Sequence, residues 1–190
     1  MRCLICENLS FKHICSTCQQ DFLSPSFYQR KILGKISVYS FYKYEDIESL
    51  LLTKHTDLGY YIFNILAMNS FKNFSDNFEY EEKIVSLSID DNVKSGYSHT
   101  AILNKALESK YIKPKFSKII SASKITYSGK SYQDRLLNPR NFKVKKFNEE
   151  DVILVDDIIT TGLTLSQAVQ ALEKEGKNIL FCLTLADARK

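Results

Sequence analysis

Residues 152–169 read VILVDDIITTGLTLSQAV, and no other stretch constrains the fold as tightly. Four aliphatic residues without polar alternation predict a strand buried on both faces, as strands inside parallel sheets are. Asp156 and Asp157 then stand at its carboxyl edge, where parallel sheets bind ligands. The turn Thr160-Thr161-Gly162-Leu163-Thr164 follows, and a helix is predicted to leave it. Free N–H groups and the dipole at a helix N-terminus favour an anion, hydroxyls add donors, and Gly162 lets the chain turn tightly around a phosphate. Carboxylates beside such a cradle describe a phosphorylated sugar. The acids accept hydrogen bonds from ribose hydroxyls and help to hold Mg²⁺, while the turn takes the phosphate. A nucleoside triphosphate fits less well, since the chain has no GxxxxGK(S/T) loop.

The remaining pattern agrees with a parallel sheet. Strands are predicted over residues 35–44, 83–89, 118–123, 151–157 and 178–187, and helices over 45–55, 58–71, 99–110 and 164–176. Residues 19–35 read as a connector, and 124–142 as a polar, basic segment without periodicity. Alternating strands and helices predict an α/β fold whose mostly parallel sheet is covered on both faces. A chain of 190 residues suits one globular domain with a small appendage. The boundary is set at 1–34 for the appendage and connector and 35–190 for the sheet domain.

The appendage is defined by cysteines. Cys3-x2-Cys6 and Cys15-x2-Cys18 form two pairs separated by eight residues. Each pair suits a tight knuckle, and two facing knuckles make a tetrahedral four-thiolate site for Zn²⁺. No secretory leader is evident, which argues against disulfides and for a cytosolic protein. Four thiolates close the coordination shell, so the zinc is expected to be structural, holding a segment too short to fold on its own core. No run approaches the roughly 18 apolar residues of a membrane span, so no membrane insertion is expected.

Charge is uneven. Residues 110–146 hold eleven basic side chains against one acid, Asp134, with Tyr111, Phe116, Tyr127, Tyr132 and Phe142 among them. Cations that track phosphates, interleaved with rings that stack on bases, suit single-stranded nucleic acid. A lysine-rich solvated loop with aromatic core anchors would read the same way.

VILVDDIITTGLT resembles the phosphoribosyl-pyrophosphate (PRPP) loop of type I phosphoribosyltransferases. Joined to an N-terminal double-CxxC element, it is similar to the ComF (ComFC) competence-protein family. FYKYEDIESLLLTKH, VKSGYSHTAILNKAL and YSGKSYQDRLLNPRNF are similar to further segments of that family, although Ser95 and Ser98 stand where it has Arg and Asn. The resemblance implies a type I phosphoribosyltransferase-like fold carrying a zinc ribbon. It also implies that Asp156 and Asp157 meet the ribose hydroxyls of Mg²⁺-bound PRPP and that residues 160–164 hold its 5′-phosphate. Lys54 would contact the pyrophosphate, with Lys94, Lys124 and Arg135 as further cations around it. Asp156, Asp157, Lys54 and Arg135 are the candidate catalytic residues.

Some purine-salvage relatives carry a general base where Thr160 stands, and this chain does not. Three functions stay open: a competence protein acting on incoming single-stranded DNA with DNA-uptake or helicase proteins as partners, a working phosphoribosyltransferase of unknown acceptor, and a non-catalytic PRPP sensor. His55 and His99 are set aside, each as a lone histidine without a visible partner.

Overall fold

The computed structural model describes residues 1–90, 96–122 and 140–189. Its centre is the strand read from VILVDDII, here β6 (Asp151–Ile159), which pairs in parallel with β7 (Asn178–Asp187) on one side and β3 (Ile84–Asp90) on the other. β2 (Ile36–Lys43) adds to β7 and β4 (Ile112–Ser121) to β3, both in parallel. Two antiparallel strands finish the edges, β1 (Tyr28–Ile32) on β2 and β5 (Phe142–Val144) on β4. The seven-stranded order is β1-β2-β7-β6-β3-β4-β5. The expected mostly parallel α/β sheet is present.

β6 is buried along nearly its whole length because both faces are covered. Side chains alternate across a strand, so Ile153 and Val155 enter one core and Val152 and Leu154 the other. The second core is closed by α6 (Leu163–Lys174), through Leu165, Ala168, Val169 and Leu172. The first is closed by α2 (Tyr44–Leu51), α3 (Asp57–Ala67) and α5 (His99–Ala106). A single π turn, Met68–Lys72, joins α3 to the short α4 (Asn73–Asn77), so the apolar run from residue 58 makes one interrupted helix. Ile62, Phe63, Leu66, Ala67 and Phe71 are buried along it, while Tyr60, Tyr61 and Met68 face outward.

The cysteine element packs on that first face. Cys3, Ile14, Cys18 and Leu23 share a core with Phe41, Ile62 and Phe63. α1 (Ser16–Phe22) begins at Cys15, whose Sγ accepts from the Cys18 backbone N–H. The His13 ring packs tilted against Tyr61 at 4.7 Å, and the Asn69 amide donates to Gln19 Oε1 at 2.9 Å.

Local expectations differ from the structure in several places, the unexpected edge strand β5 among them. Residues 19–35 contain the end of α1 and the whole of β1, so the sheet begins inside the presumed connector. β4 starts at Ile112 rather than 118, and a register shift against β3 between Leu87 and Ile89 lets it bulge at residues 116–118, with Ser117 at φ 52. β4 carries two more residues than β3 across this stretch, one more than an ordinary bulge inserts. The helix from His99 stops at Ala106 instead of 110.

Candidate functional site

Asp156 and Asp157 lie at the carboxyl end of β6, both buried. Strand alternation sends them to opposite faces. Asp156 shares the face of Val152 and Leu154, which α6 covers, whereas Asp157 shares the face of Ile153 and Val155. Asp157 Oδ2 receives the Lys54 ammonium at 3.2 Å and lies 3.2 Å from His99 Nε2. Its other oxygen accepts the Ile158 N–H at 2.8 Å, while Asp156 Oδ1 accepts the Asp157 N–H at 2.9 Å. Burial alone would push the Asp157 carboxyl up. The His99 imidazole and the Lys54 ammonium more than offset it, holding the group well below the usual carboxylate range. Asp157 is therefore a fixed negative charge at neutral pH.

Lys54 comes from a 3₁₀ turn, Leu52–His55, that ends α2. The turn is set by local bonds: the Thr53 hydroxyl donates to Leu50 O at 2.6 Å, and Thr56 N–H to Thr53 O at 2.9 Å. Thr56 then caps α3, its hydroxyl accepting the Gly59 N–H at 3.3 Å.

The turn after β6 is built as its composition predicts. Gly162 takes φ 79, in the left-handed region, at the N-cap of α6. A Cβ there would stand 2.8 Å from Ile32 Cγ2, so packing on β1 and backbone conformation both demand glycine. Thr160 and Thr161 are exposed at the rim, and the Leu163 N–H reaches Thr161 Oγ1 at 3.4 Å. The first N–H groups of a twelve-residue helix open at this turn. One carboxylate thus stands beside an anion cradle, and the other beside a lysine brought from the far side of the sequence.

His99 was set aside for want of a partner, and the structure corrects that reading. Its Nε2 faces Asp157, and its ring packs on Phe63 at 5.4 Å and on His55 at 6.3 Å. A signal was present. His99 follows β3, the parallel neighbour of β6, and residues after adjacent parallel strands converge at the carboxyl edge. Lys94, Lys124 and Arg135 lie outside the described residues, as do Ser95, Tyr127, Tyr132 and Asp134.

The four N-terminal thiols converge as expected. The Sγ atoms of Cys3, Cys6, Cys15 and Cys18 all lie within 4.8 Å of one another. Cys6 and Cys15 Sγ are 3.8 Å apart, far beyond a disulfide bond. That separation equals the edge of a tetrahedron with metal–sulfur bonds of about 2.3 Å, which works out at about 3.8 Å. The Cys15 N–H points at Cys3 Sγ at 3.3 Å and brings that thiol down to about 6. Burial, and then the neighbouring thiols, push Cys18 up. Thiolates this close repel one another until a cation joins them, so the donor set fits one soft divalent ion.

The family model PRTase-CE matches residues 20–188. The chain belongs to the PRTase-CE family. The matched span holds all seven strands of the described residues and every residue of the acid–turn site, and it starts after Cys18, so the four-thiol element lies outside it. No curated protein matches the chain. Among solved structures it is similar to a hypoxanthine phosphoribosyltransferase from Staphylococcus aureus, at 18% identity and TM-score 0.41, over 66% of this chain and 62% of that one. It is also similar to a hypoxanthine phosphoribosyltransferase from Trypanosoma cruzi, at 20% identity and TM-score 0.38, over 67% and 66%. This PRTase-CE chain therefore spans less than two thirds of the length of either enzyme. Among the described residues no helix is long and apolar enough to cross a membrane.

Proposed function

We propose that the carboxyl edge of β6 binds Mg²⁺-bound PRPP, a 5-phosphorylated pentose carrying pyrophosphate. The observation that carries this reading is the split acid pair. Asp156 lies on the face of the phosphate-type turn, and Asp157 is tied to Lys54. In this assignment Asp156 and Asp157 accept hydrogen bonds from the ribose hydroxyls, residues 160–164 take the 5′-phosphate, and Lys54 meets the pyrophosphate. Lys94, Lys124 and Arg135 are proposed as further cations around the same group. Mg²⁺ supplies charge neutralisation on the pyrophosphate, and the carboxylates are the groups that hold it, directly or through water. Zn²⁺ is proposed for Cys3, Cys6, Cys15 and Cys18, in an element that with its connector is proposed to span residues 1–34, the connector supplying β1 of the sheet.

The chemistry that follows is phosphoribosyl transfer. Departure of pyrophosphate leaves positive charge on the sugar, and a buried Asp157 that is ionised at neutral pH can stabilise such charge. Holding both ends of the sugar phosphate fixes the reacting carbon, so positioning supplies much of the rate. Calorimetry with Mg-PRPP tests the assignment: Asp157→Asn is expected to weaken binding about a hundredfold, as loss of a buried charged hydrogen-bond partner does. Undiminished binding in Asp157→Asn would remove the site. Pyrophosphate release, screened over bases and amines, separates an enzyme from a non-catalytic sensor.

A second reading, ComF-like handling of incoming single-stranded DNA in natural transformation, has its own support in the β4–β5 edge. Lys113, Lys143, Lys145 and Lys146 are exposed there, and Phe116 is exposed in the bulge of β4. Cations with an exposed ring suit a flexible polyanion, and the thiol element would dock uptake or helicase proteins. Fluorescence anisotropy with a single-stranded oligonucleotide at two salt concentrations tests it. Binding should fall steeply with salt, and no binding even at low salt would eliminate this reading.

A further inference from the structure

Tyr97 and His99 flank Ser98, the N-cap of α5, whose hydroxyl accepts the Ala101 N–H at 3.2 Å. The Tyr97 hydroxyl donates to Lys54 O at 2.8 Å and lies 3.3 Å from Thr56 O. The first carbonyl belongs to the turn that presents the Lys54 side chain, and the second to the residue that closes it. The approach is close, since a Cβ on Gly59 would fall 2.2 Å from Tyr97 Oη and 2.2 Å from Thr53 O. Only glycine at that point of α3 lets the hydroxyl reach the turn. The Tyr60 ring meets the Tyr97 ring edge-on at 5.7 Å and fixes its direction. A phenylalanine would keep the ring contact with Tyr60 and lose the hydroxyl's bonds to the turn. Two residues on, buried His99 reaches Asp157 Oδ2 at 3.2 Å.

We infer that the start of α5 is a bracket holding both members of the Lys54–Asp157 pair, so that Tyr97 and His99 are positioning residues. Tyr97 sets the backbone of the lysine, and His99 sets the carboxylate. The inference rests on the proposed ligand assignment, and it predicts that the two residues act on different parts of the ligand. Tyr97 works through Lys54 on pyrophosphate, and His99 works through Asp157 on the pentose.

Calorimetry on the full zinc-loaded chain tests this with two probes, inorganic pyrophosphate with Mg²⁺ and ribose 5-phosphate. Tyr97→Phe should weaken pyrophosphate binding about tenfold, equivalent to about 1.4 kcal/mol at 25 °C, and leave ribose 5-phosphate unchanged. In a Lys54→Ala background the same substitution should have no further effect. His99→Gln should show the opposite selectivity, and it provides an independent arm if Tyr97→Phe does not fold. An equal loss for both probes, or no loss, would overturn the bracket while a strong Lys54→Ala effect on pyrophosphate preserved the site. If Lys54→Ala leaves pyrophosphate binding intact, the ligand assignment fails and the bracket with it.

Discussion

The four-thiol element and the carboxyl edge of β6 are both polar clusters resting on one core, and they are assembled in opposite ways. The thiols come from residues 3–18 and meet through two short knuckles. The acid site joins Asp157 to Lys54, 103 residues earlier, and to His99 across the top of β3. The first cluster is organised by the ion it is proposed to hold. The second is organised before any ligand arrives, because Lys54, His99 and the Ile158 N–H already occupy the Asp157 carboxylate. A cluster of like thiols needs a cation to be stable, whereas a carboxylate with a lysine does not. Loss of metal should therefore disrupt one region and spare the other.

Removing that ion gives the largest expected effect. Structural zinc contributes about 10–16 kcal/mol to folding in small finger peptides. The full chain should carry one zinc per molecule by metal analysis, and a chelator should lower Tm by about 10 °C or more while leaving the strands intact by circular dichroism. An unchanged Tm would erase the contrast between the regions. Gly162→Ala sharpens it from the other side. A left-handed φ with Ile32 at 2.8 Å should cost about 2 kcal/mol, or about 4–8 °C in Tm, and should leave zinc content untouched. The smallest effect is expected with acid. The folded Asp157 carboxyl is depressed, so its contribution is fully present above about pH 4 and fades as pH falls below that. Thermal scans from pH 5 to pH 3 should show the wild type losing more Tm than Asp157→Asn. Parallel curves would contradict the assigned ion cluster.

The same contrast explains what the sequence made legible. β7 was readable to its ends at residues 178–187, and β6 and α6 nearly so, because buried parallel strands and an amphipathic helix leave plain hydrophobic patterns. β1 was missed because an edge strand exposes one face: Gln29, Arg30 and Lys31 read as linker although Ile32 is buried beneath Gly162. β4 was cut short because Pro114 and the lysines at 113, 115 and 118 mask its alternation, and the bulge then shifts its phase. The acids, the turn and the cysteines were legible since each motif is contiguous. The partner of His99 was not read, because its signal lies in the adjacency of β3 and β6 within the sheet and not in any local spacing.

The account turns on one pocket. A crystal structure with Mg-PRPP bound should place the ribose hydroxyls against Asp156 and Asp157 and the 5′-phosphate on residues 160–164, with the pyrophosphate beside Lys54. A structure in which PRPP occupies another place, or leaves this edge empty at saturating concentration, would contradict it.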